Sequence, residues 1–109
     1  MRKIEQQMNS AIANGINWAS GNTQVTHVDG IAKVYLHGHN IANIDLSIPA
    51  QVDGAIEMFS CGWRTVTTKS RLNAILQGFT FSGKAQIFQK DFTWYVGTLN
   101  QPFYEGCVI

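Results

Sequence analysis

Charge is the scarcest ingredient of this sequence. Asp, Glu, Lys and Arg supply only 14% of its residues, well below the quarter usual in globular chains, while apolar residues reach an ordinary share. That balance excludes intrinsic disorder, which requires high charge and little to bury. Long apolar runs are also missing, and no window approaches the ~18 residues a bilayer-crossing helix needs. The opening MRKIEQQMNS carries charge but no apolar stretch of a secretion signal. A cytoplasmic protein without membrane contact is expected. Cysteine is nearly absent: Cys61 and Cys107 are expected to be free thiols, because a chain of this length can build a core without a disulfide. The terminal GCVI leaves too few residues after its cysteine for a prenylation signal. One domain over residues 1–109, with one core, is predicted.

Carboxylates are few and scattered, so no acid/base pair is recognisable, and neither a catalytic residue nor a cofactor is predicted. Three apparent motifs fail on context. Gly78 to Ala85, GFTFSGKA, fits most of a phosphate-binding loop, but a helix precedes it, a strand follows it, and Ala85 lacks the hydroxyl for magnesium. His37 and His39, with His27 and Cys61 elsewhere, make only one close pair where zinc wants two, so no metal site is expected and the turn histidines should face solvent. SCGW resembles a cysteine-protease signature in the wrong order, with no room downstream for the histidine. Cys61 is therefore expected to be buried and inert. The chain is not expected to be an enzyme.

Periodicity gives the elements. Ile4, Met8, Ala11 and Ile12 form one helical stripe over Arg2 to Asn14, and Gly15 follows as a left-handed cap. INWASGNT reads as a loop whose Trp18 folds onto the core. From Thr23 the period becomes two. TQVTHV, the turn Asp29-Gly30 and IAKVYLH form a hairpin of type I′, with Ala32, Val34 and Leu36 on one face. HGHN turns again, IANIDLSI is a half-buried strand ended by Pro49, and AIEMFS supplies a fourth. Thr67 or Thr68 then caps a second helix that buries Leu72, Ile75 and Leu76 and stops near Gln77 at Gly78. KAQIFQ and DFTWYV add a further pair of strands, and the tail PFYEGCVI an edge strand or a docked end. The prediction is an α+β domain: a twisted antiparallel sheet of five to six strands with two helices packed on one face.

The most concentrated chemistry is GWRTVTTKSRLNAIL, Gly62 to Leu76. From Gly62 to Lys90 the bases Arg64, Lys69, Arg71, Lys84 and Lys90 occur without an acid, whereas Asp29 to Glu57 is acid-rich. A helix start with free amides, hydroxyls and nearby bases can hold an anion. The predicted anion or partner site is Arg64, Thr65, Thr67, Thr68, Lys69 and Asn73. Lys69 and Arg71, however, fall roughly 160° apart on the helical wheel, so they cannot form one patch, and Arg71 reads as structural. Phe79, Phe81, Phe88, Phe92, Trp94 and Tyr95 interleave with Lys84 and Lys90, a composition on which bases could stack, although most must build the core.

KIEQQMNSAI, NWASGNTQV, VYLHGHNIA, the Gly62 to Leu76 block, IFQK and WYV together resemble small proteins encoded by tailed bacteriophages. The resemblance implies an accessory protein of the infected host's cytoplasm and carries over no active site. Two expectations follow. The preferred one is a non-enzymatic binding module acting on a host or phage protein, with homodimerisation through a sheet edge as one form. The alternative is a nucleic-acid binder that uses the helix start at 64–71 as a phosphate site.

Overall fold

Asp29 and Gly30 adopt φ of 51° and 80°, the two positive values a type I′ turn needs. They join β2 (Thr23–Val28) to β3 (Ile31–Leu36). The structure, a computed structural model, describes residues 1–49, 54–80, 86–97 and 101–109. On one side of this hairpin Trp18–Ser20 forms β1, and on the other β4 (His39–Asp45) and β5 (Ile56–Met58) follow. The tail returns as β9 (Cys107–Val108) beside β5, so the main sheet is antiparallel in the order β1-β2-β3-β4-β5-β9. INWASGNT is thus not all loop: Trp18 pairs with Val25 as an edge strand and packs against the core.

One face of this sheet is covered. Val25, Ala32, Val34, Ala42, Ile44, Ile56 and Met58 are buried beneath α1 (Lys3–Asn14) and α2 (Val66–Phe79). α1 contributes Met8, Ala11 and Ile12 and ends at Gly15 in the left-handed region; α2 contributes Leu72, Ile75 and Leu76. The fold class is the predicted α+β arrangement. Alternation holds through β3 but breaks in β4. The β3–β4 register shifts after Val34, which pairs with Ala42 while Tyr35 pairs with Asn40. The extra residue, Ile41, is buried next to Ala42; such a bulge re-aims side chains at a strand end.

Three expectations need correction. The later strands do not extend the main sheet: β6 (Ile87–Lys90), β7 (Thr93–Val96) and β8 (Gln101–Pro102) form a second, three-stranded sheet. Asn73 fastens it to α2, donating to the Ile87 carbonyl at 3.0 Å and accepting from its N–H at 2.6 Å. The cap of α2 is Thr65, not Thr67 or Thr68; its hydroxyl oxygen accepts the Thr68 N–H at 3.2 Å. Gly78 does not stop α2 but lies within it, where a Cβ would come 2.7 Å from Asn9 Nδ2 of α1. Of GFTFSGKA, residues 81–85 lie outside the described residues, and with them Phe81 and Lys84.

Candidate functional site

Two left-handed turns meet at one end of the main sheet. His37 and Gly38 (φ 52° and 79°) carry the chain from β3 to β4, and Cys61 and Gly62 (φ 54° and 78°) carry it from β5 towards α2. The second turn is held from the tail. Glu105 accepts the Ser60 N–H at 2.8 Å and the Ser60 hydroxyl at 2.9 Å, and the N–H groups of Cys61 and Gly62 also bond to it. Successive amides around an anion form a nest, here filled by the protein's own carboxylate. Burial pushes the Glu105 carboxyl up, but these bonds outweigh burial and hold it below its usual pKa.

Between the turns lies a cleft of about 380 Å³. Leu36 and the bulged Ile41 form its apolar side, His37 and His39 come from the first turn, and Ser60 and Trp63 from the second. Thr65, Thr67 and Thr68, at the start of α2, complete it. Trp63 is 60% exposed, so a large indole is in solvent beside an apolar hollow. It stacks near-parallel on His39, with ring centroids 6.3 Å apart. Val66 is exposed in the first turn of α2, and Tyr104 is exposed on the tail segment that holds the loop. An exposed indole beside an apolar hollow marks a surface used for contact.

The residues predicted as an anion site do not converge. Thr65, Thr67 and Thr68 line the cleft, and Lys69 is half-buried beside them. Arg64 turns away: its guanidinium carbon lies 5.3 Å from the Phe103 ring centroid and 5.7 Å from that of Trp94, and it donates to the Phe103 carbonyl at 3.3 Å. Asn73 is engaged with Ile87. Arg71, on α2, is buried against α1 and β2, 2.9 Å from Glu5, with Nε donating to the Thr23 hydroxyl oxygen at 3.0 Å. Burial raises the Glu5 pKa, but bonds from Ser70, the Arg2 backbone and Arg71 leave it lowered overall.

Cys61 is exposed, not buried as expected, because its left-handed turn projects from the sheet end. Its thiol donates to the Asn40 carbonyl at 3.0 Å. Desolvation first, and then the Glu105 charge, push its pKa up, the direction opposite to that of a reactive thiol. Cys107 is buried, and both cysteines are free. Among the described residues no three His, Cys, Asp or Glu side chains converge as metal ligands. No helix there is long and apolar enough to cross a membrane.

Sequence reasoning found the threonines but missed Leu36, Ile41, His37, His39 and Trp63 as parts of one hollow. The signal was two glycine turns, HG and CG, flanking strands that turned out to be neighbours.

No curated protein and no solved structure matches the chain. A family model matches residues 1–109 in full. The chain belongs to the Kyanoviridae Gp96 protein family, a family of phage proteins.

Proposed function

We propose that this phage accessory protein is a non-enzymatic binding module whose cleft beside Trp63 receives an apolar side chain of a protein partner, from host or phage. The observation that carries this reading is the solvent-facing Trp63 at the mouth of a hollow walled by Leu36 and Ile41. An indole in that position has apolar area to bury and rigidity that limits the entropy lost on binding, as at interface anchors. A cleft of this size suits one or two side chains.

The nucleic-acid alternative is weakened by where the cations lie. Arg71 neutralises Glu5 in the interior, and Arg64 lies over Trp94 and Phe103. A phosphate at the start of α2 would meet threonine hydroxyls and Lys69 with no arginine fork. Affinity for a polyanion comes from many such contacts, and among the described residues few are on offer at this helix start.

The experiment compares capture from an infected-host lysate by wild-type protein, Trp63→Ala and Lys69→Ala. The reading expects a protein captured by wild type and Lys69→Ala and lost with Trp63→Ala. Oligonucleotide binding at ~50 mM salt that weakens as salt rises, and that Lys69→Ala abolishes, would establish the alternative instead.

A further inference from the structure

Phe92 is 96% exposed, the most exposed large apolar side chain among the described residues. It sits with Asp91 at the tip of the β6–β7 hairpin, and the two residues take φ of 63° and 51°. A type I′ turn wants Asn-Gly at these positions. A bulky phenylalanine in the left-handed region is disfavoured by its backbone and gains nothing from burial in this chain. Strain and exposure at one residue point to a role for that residue outside its own fold.

The same molecule carries a receptor of matching chemistry. The cleft offers Leu36, Ile41 and Trp63 to a ring, and the N-terminus of α2 adjoins them with no acidic residue in its first turn. A helix N-terminus of that kind attracts a carboxylate. Asp91 precedes Phe92, so a hairpin tip entering the cleft brings an anion to the helix start together with a ring to the hollow. Knob and receptor are joined by one contact: Arg64, next to Trp63, lies over Trp94, two residues after Phe92.

We infer that the cleft's occupant is the β6–β7 hairpin tip of a second copy of this chain, with Phe92 in the hollow and Asp91 at the start of α2. Two copies related by a twofold axis exchange tips, so each cleft is filled and the assembly closes as a dimer. The inference rests on the reading of the cleft as a side-chain receptor and names what fills it.

The test is the mass of the full chain in solution from ~1 µM to ~1 mM, measured by light scattering or sedimentation. The expected result is a concentration-dependent dimer that Phe92→Asp and Trp63→Ala each reduce to monomer, without change in the circular dichroism of the fold. Mixing the two variants restores partial association, because the Phe92→Asp chain keeps an intact cleft and the Trp63→Ala chain an intact tip. A wild-type monomer throughout the range, or a dimer indifferent to Phe92→Asp, overturns the inference. A phenylalanine-containing peptide then separates the two ideas by its effect on the Trp63 indole N–H resonance. In a protein found to be monomeric, a shift overturns self-association and leaves the receptor reading standing, whereas the absence of a shift overturns both.

Discussion

Arg71 of α2 and Glu5 of α1 meet at 2.9 Å with their side chains only 4% and 3% exposed. Ser70 donates to the same Glu5 oxygen at 2.6 Å, and the Arg71 guanidinium reaches Thr23 and Asn22 as well. The network ties both helices to the start of β2. Breaking it from one side strands a buried charge, so Glu5→Gln and Arg71→Met are each predicted to destabilise the fold by about 3–5 kcal/mol, whereas the double replacement Glu5→Leu with Arg71→Met costs much less. Urea denaturation of the three variants checks this.

The same carboxylate, with that of Glu105, sets the acid limit of the fold. Glu5 and Glu105 both have folded pKa values below their reference value of 4.5. A depressed carboxyl contributes stability that is present above its unfolded pKa and lost as pH falls through the folded one. Stability should therefore be level above about pH 5 and decline below the reference value. Glu105→Gln should flatten part of that decline, as read from unfolding midpoints across the acid range.

Thr65 caps α2 through the Thr68 N–H. Thr65→Ala is predicted to cost about 1 kcal/mol, as for other N-cap hydroxyls. Thr67→Ala, at a position with no cap bond, should leave thermal stability near wild type. Equal losses from the two substitutions would contradict the assignment.

Gly78 and Asn9 should behave as a coupled pair. A Cβ at Gly78 displaces the Asn9 amide, which donates to the Ala74 carbonyl at 2.9 Å. Gly78→Ala gains about 0.5–1 kcal/mol of helix stability and loses a bond of similar worth, so alone it should be close to neutral. In an Asn9→Ala background the loss is already taken, and the same substitution should stabilise by about 1 kcal/mol.

Much of this architecture was legible. The meander from Thr23 to Met58 follows from alternation and from the Asp29-Gly30 turn, and α1 from its stripe and Gly15. What escaped depends on partners distant in sequence. Glu5 looks like a solvent charge until Arg71, on the other helix, accounts for its burial. Gly78 looks like a helix stop until Asn9, whose amide lies where a Cβ would go, accounts for a glycine inside α2. β6 and β7 read correctly as strands, but nothing local says which sheet they join; Asn73 decides that through Ile87. The helical wheel set Arg71 apart as structural, but the cluster of bases and hydroxyls from Gly62 onward still suggested an anion site because sequence cannot show that Arg64 lies over Trp94 and that Asn73 is engaged with Ile87. Trp63 and the threonines lay in the highlighted block, but the hollow they face needed the β4 bulge at Ile41, which alternation alone cannot foresee.

The central claim is that the surface at Trp63 is where another protein binds. The most direct measurement is photo-crosslinking in infected cells, with a benzoylphenylalanine at position 63 and a control at the exposed Gln24 of β2. The account predicts a discrete protein adduct from position 63, with a second copy of the chain or with another protein, and none from position 24. Adducts to nucleic acid alone, or equal labelling from both positions, would contradict it.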